Sequence, residues 1–84
     1  MSEGIRRVIE RFPHFEAIIR ELSETHMGFG VLCHEYERIN LEIGNLDQQV
    51  DLHAYDEARN LHRRRLALEE ELVGLMETNL RTSL

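Results

Sequence analysis

FEAIIRELSETHMGFGVLCHEYERINLEIGNLDQQV, residues 15 to 50, is the stretch whose reading decides the fold. Every seventh residue from Phe15 gives Phe15, Leu22, Phe29, Tyr36, Ile43 and Val50. The series three residues further on gives Ile18, Thr25, Leu32, Ile39 and Leu46, in which only Thr25 is polar. A 3-4 spacing held this long marks a helix that buries one seam against other helices. The seam needs a cover, because one helix cannot bury its own stripe.

The flanks show where that cover comes from. Asp51 is a good N-cap, and beyond it Ala54, Ala58, Leu61, Leu68, Leu72, Leu75 and Met76 restart an apolar stripe that ends near Asn79. Leu66 and Val73 widen that stripe on one flank. A turn near 48–54 therefore joins two antiparallel helices, and residues 81–84 read as a frayed tail. Centred near Asp51, the fold-back sets Ile43 opposite Ala58, Ile39 opposite Leu61 to Arg65, Tyr36 opposite Arg65 to Leu68, and Phe29 opposite Leu72 to Leu75. It also brings Arg63, Arg64 and Arg65 alongside Glu35, Glu37 and Glu42, exposed pairs worth about 0 to 1 kcal/mol each.

Upstream, Ser2 is a plausible N-cap for a short amphipathic segment with Ile5, Val8, Ile9 and Phe12 at helical spacing beside Arg6, Arg7 and Arg11. Residues 1–12 dock on the main body or fray, since a segment this short is a weak interfacial anchor. Pro13 restricts Phe12 away from helical geometry and suits a first helical turn itself. A break at Phe12 and a helical hairpin over 13–80 follow. Within it, Gly28 and Gly30 flank Phe29 and cost about 1 kcal/mol each against alanine, so the first long helix is expected to bend or break there. The heptad phase survives across the glycines, so any two pieces are expected to stay nearly collinear.

The fold class expected is all-α: an antiparallel, coiled-coil-like helical hairpin with a short N-terminal helix, assembled into a helical bundle. A seam of roughly 36 residues facing only about 26 of a second helix motivates the bundle. A chain of 84 residues also buries a modest fraction of its surface, and self-association is the simplest remedy. A homo-oligomer and an unidentified protein partner are therefore expected, through Phe15, Ile18, Leu22, Phe29, Leu32, Tyr36, Ile39, Ile43, Leu61, Arg65, Leu68, Leu72 and Leu75.

Charge narrows the partners. The net charge of −6 divides into −1 over residues 1–28, −6 over 29–58 and +1 over 59–84, and all ten basic residues are arginine. The acidic middle would repel a phosphate backbone, which weighs against general nucleic-acid binding. No apolar run approaches a membrane span of roughly 18 residues, and the N-terminus lacks the apolar core of an export signal. One cysteine forms no internal disulfide. A cytoplasmic protein without membrane association is the expectation.

No chemistry stands out. Arg63-Arg64-Arg65 is followed by Glu69-Glu70-Glu71, a compensating block one or two turns on, so it fails as a nucleic-acid patch. Arg65 instead falls on the seam, where a polar residue sets register or partner number, with Tyr36 and Glu35 as its natural partners. Cys33 and His26 are a heptad apart, about 10 Å along a helix axis, too far to chelate one ion. Only an oligomer interface would bring several copies together, which leaves a small stress or ligand sensor through Cys33 and His26 as the alternative to an interaction module. Cys33 otherwise reads as a small hydrophobe flanking the seam. His14, His34, His53 and His62 read as surface or turn residues. The glutamates form solvated faces with no cleft for acid–base work, and no glycine loop follows a strand. No catalytic residue, metal or cofactor is expected.

The stretch from Phe12 to Met76 resembles the YdcH-like family of small bacterial proteins, a family of unknown function. The similar residues are Phe12-Pro13 with Phe15, Ile18, Ile19 and Leu22; then Phe29, Leu32, Ile39, Asn40, Glu42 and Ile43; then Leu61 and Arg65-Leu66-Ala67-Leu68-Glu69-Glu70-Glu71-Leu72. The spacing from Phe12 to Leu72 needs no gaps. The chain departs from the pattern at Tyr36, where the family tends to have histidine, at Glu69-Glu70 in place of lysine-aspartate, and in residues 1–11, an extension. The resemblance implies a small, soluble, self-associating helical hairpin and supplies no substrate and no catalytic residue.

Overall fold

The computed structural model describes residues 2–49 and 51–83. These residues form four α-helices: α1 (Glu3–Arg11), α2 (Glu16–Thr25), α3 (Met27–Leu46) and α4 (Leu52–Ser83), with a 3-10 turn over Pro13–Phe15. No strand occurs among them. Val50, the last member of the seam, and Leu84, the end of the expected tail, lie outside the described residues.

Local chemistry sets most of the boundaries. The Ser2 hydroxyl accepts from the Ile5 amide at 3.2 Å and starts α1. Phe12 leaves the helix at φ −129°, ψ 65°, and Pro13 opens the turn that follows. Asp51 Oδ1 accepts from the Ala54 amide at 2.7 Å and starts α4 two residues ahead of the expected restart at Ala54. At the other end α4 runs through Ser83, beyond the expected stop near Asn79. Thr78 donates to the Gly74 carbonyl at 2.9 Å and Thr82 to the Asn79 carbonyl at 3.0 Å, while Arg81 lies in the negative last turn. The charge of Arg81 complements that end, and α4 keeps helical a stretch that composition alone reads as frayed.

The break in the first long helix falls at His26, not at Gly28 or Gly30. His26 has extended backbone, φ −128° and ψ 101°, and its Nδ1 accepts from the Phe29 amide at 3.0 Å as the N-cap of α3. Both glycines lie inside α3, where their cost of about 1 kcal/mol each is offset by burying Phe29 completely. Gly4 rests on the Cys33 backbone, while the next residue, Ile5, lines one hollow with Arg20, Ser23 and Glu24. Helix α1 therefore touches both α2 and α3.

Length explains who covers whom. At 1.5 Å per residue, α4 with 32 residues is about 48 Å long, and the molecule measures 49 × 22 × 21 Å. Helix α3 with 20 residues reaches only about 30 Å along it. Asn40 meets Arg65 and Tyr36 meets Glu69, so numbers rise along α3 as they fall along α4. The remaining length of α4 is taken by α2, where Asn79 donates to Glu21 at 3.2 Å. Helix α1 lies on α3, with Gly4 on Cys33 and an ion pair from Arg7 to Glu37.

The core reads Val8, Ile19, Leu22, Phe29, Cys33, Tyr36, Ile39, Ile43, Leu68, Leu72 and Met76. Leu22, Phe29, Tyr36, Ile39, Ile43, Leu68 and Leu72 of the expected interface are thus buried inside one chain. Phe15, Ile18, Leu32, Leu61, Arg65 and Leu75 are half-buried, and Thr25 is exposed with its hydroxyl on the Glu21 carbonyl. The seam is covered by α1, α2 and α4 of the same molecule. Val8, Ile19 and Cys33 join the core from outside the two seam series.

Candidate functional site

Two surface features concentrate chemistry. The first is a polar groove of about 490 Å3 lined by Arg7, Glu10, Arg11, Tyr36, Asn40, Arg65 and Glu69. Helix α1 delivers Arg7 and Arg11 one turn apart, on a helix whose Gly4 and Val8 face the core. Helix α3 delivers Tyr36 and Asn40, again four apart, and α4 delivers Arg65 and Glu69 at the same spacing. Three i, i+4 pairs from three helices thus meet.

Their bonds fix the geometry. Tyr36 donates to Glu69 Oε2 at 2.6 Å, and Arg11 Nε donates to the same oxygen at 3.0 Å. Asn40 Nδ2 donates to the Tyr36 carbonyl at 2.8 Å, which turns Oδ1 toward Arg65; Arg65 Nη1 donates to it at 3.0 Å. The other terminal nitrogen of Arg65 lies 2.8 Å from His62 Nδ1, which accepts because a guanidinium only donates. Arg7 is paired through Nε with Glu37, whose hydrogen bond and charge raise its pKa. Burial pushes the Tyr36 phenol up to about 12, and the hydrogen bond and charge of Glu69 push the same way. At neutral pH Tyr36 is a fixed donor.

The expected pairing of Arg65 with Tyr36 and Glu35 is replaced by Asn40 and His62, and Glu35 is taken by Arg64. Glu37 goes to α1 and Glu42 to Arg38 of its own helix. Arg7, Glu10, Arg11, Asn40 and Glu69 were missing from the expected site residues. The signal available was their spacing: Arg7 and Arg11, Tyr36 and Asn40, and Arg65 and Glu69 each stand four apart, one turn along the same face of a helix.

The second feature lies at the end of the molecule where α3 joins α4. A hollow of about 450 Å3 is lined by Leu46, Asp47, Gln49, Asp51, Leu52, Ala54, Tyr55 and Ala58. Leu52 is 84% and Tyr55 62% exposed, although both are large and apolar in body. Glu42, Asp47, Asp51, Asp56 and Glu57 fall between Arg38 and Arg59, an interval with no arginine or lysine. The end is apolar at its centre and acidic around it.

Cys33 is fully buried against α1, and burial pushes its thiol up to about 12. His26 Nδ1 is occupied by the cap of α3. Among the described residues no three His, Cys, Asp or Glu side chains gather as a metal site, and no helix is long and apolar enough to cross a membrane. No family model, curated protein or solved structure matches the chain.

Proposed function

We propose that the protein is a non-enzymatic interaction module that docks a basic amphipathic helix of a partner protein at the α3–α4 end. In this reading α3 and α4 form an antiparallel hairpin whose connected end is the working surface, and α1 and α2 close the bundle along the rest. The observation that carries it is the pairing of exposed Leu52 and Tyr55 with a hollow walled by Asp47 and Asp51. Isolated exposed apolar residues need no explanation, but two beside a concavity rimmed by one sign of charge match an amphipathic helix of the opposite sign. A second copy of this chain fits the same end poorly, because it would set acidic rims against each other.

The test is fluorescence anisotropy with labelled helical peptides. A leucine–lysine amphipathic peptide should bind saturably, more weakly as salt rises, and should lose at least tenfold in affinity against the double variant L52A/Y55A with helicity retained. A leucine–glutamate peptide, and a lysine-rich peptide lacking the leucine face, should fail to bind. Equal binding of the acidic or the purely charged peptide, or indifference to L52A/Y55A, would overturn the reading.

A further inference from the structure

The polar groove carries an inference independent of helix docking. Three guanidinium groups line it, those of Arg7, Arg11 and Arg65, against two carboxylates, Glu10 and Glu69. Arg7 and Arg11 each hold a carboxylate through Nε, on Glu37 and Glu69 respectively. Arg65 is the exception: it is half-buried, its partners Asn40 Oδ1 and His62 Nδ1 are neutral acceptors, and no carboxylate pairs with it among the described residues. A charge drawn partly out of water without a counter-charge is costly, and an anion that supplies one recovers that cost.

We propose that this groove binds a small oxyanion, of the phosphate or carboxylate type, with Arg65 as its principal contact. Arg65 is held ready for it. Asn40 is locked by its bond to the Tyr36 carbonyl and in turn fixes one end of the guanidinium fork, so little ordering remains to be done on binding. Because Arg7 and Arg11 use Nε for their carboxylates, their terminal nitrogens remain to share the anion's other oxygens. The groove, about 490 Å3 and open to solvent, has room for an oxyanion alone or carried on a small polar molecule.

The experiment is a titration of the full chain, labelled with 15N, by inorganic phosphate and separately by succinate, against chloride at constant ionic strength. Side-chain Nε–H signals of arginine and the Asn40 amide report the groove. Saturable shifts at Arg65 and Asn40 with either titrant support the site, and the stronger titrant names the headgroup. R65Q should weaken binding at least tenfold, while R63Q, on an exposed neighbour, should leave it unchanged. R65K, which keeps the charge and loses the fork, should weaken it several-fold and serves if R65Q does not fold. Shifts that grow linearly without saturation, or that appear equally at Arg59, Arg63 and Arg81, would overturn the proposal, as would equal losses in R63Q and R65Q.

Discussion

The hydroxyl of Tyr36 and Nε of Arg11 converge on one carboxylate oxygen, Oε2 of Glu69, at 2.6 and 3.0 Å. That single atom ties α1, α3 and α4 together beside the core. Removing the hydroxyl in Y36F leaves Glu69 with its arginine and withdraws one charge-assisted bond, so equilibrium urea unfolding should show a loss of about 1–2 kcal/mol.

The same phenol predicts an alkaline signature. Its pKa is about 12 in the fold and about 10 in an unfolded chain, so the protonated form is favoured by folding. Its contribution is complete below pH 10 and is lost as pH rises through 12. Stability measured across that window should fall more steeply for the wild type than for Y36F. Parallel curves would contradict the assignment.

Glycine substitutions separate close approach from propensity. A Cβ on Gly4 would lie 2.5 Å from the Cys33 carbonyl oxygen and 2.8 Å from its carbon, both rigid backbone atoms, so α1 must move away from α3. G4A should cost on the order of 1–3 kcal/mol despite alanine's better helix propensity. At Gly44, in α3, an added Cβ meets nothing within 4 Å, and G44A should gain about 1 kcal/mol. Thermal unfolding of the two variants should move in opposite directions.

The part of this architecture legible in the sequence is the part written in short-range chemistry. Ser2, Pro13 and Asp51 mark three boundaries because each acts within three residues, and the heptad of α3 is readable because its period is local. The break at His26 was not legible, since two glycines are a louder propensity signal than one histidine cap, and burial of Phe29 outweighs them. The cover that α4 gives the seam was readable from its own apolar stripe, but the seat of α1 was not: nothing around Gly4 says that its missing Cβ lets α1 settle on Cys33. The groove draws Arg7, Arg11, Tyr36, Asn40, Arg65 and Glu69 from three helices, and only the tertiary fold brings them together.

Cys33 gives a chemical test of the closed core. With the side chain buried and its pKa near 12, the native protein at neutral pH should resist thiol alkylation and react only as fast as it opens. Mass spectrometry after brief labelling should find the thiol free in native buffer and fully modified in urea. Rapid stoichiometric labelling of the native state would favour a sensor role for this cysteine over a packing role.

Core truncations grade the seam. Ile39 is 1% exposed, so I39A should cost about 2–5 kcal/mol, whereas L66A, on the open face of α4, should stay within about 0.5 kcal/mol. Denaturant midpoints decide between them.

The central claim is that one chain covers its own seam. Light scattering across a dilution series, with helical content followed on the same samples, tests it most directly. The account predicts a mass of 9.9 kDa and a constant helicity at every concentration. Mass and helicity falling together on dilution would contradict it, because folding would then depend on a second copy.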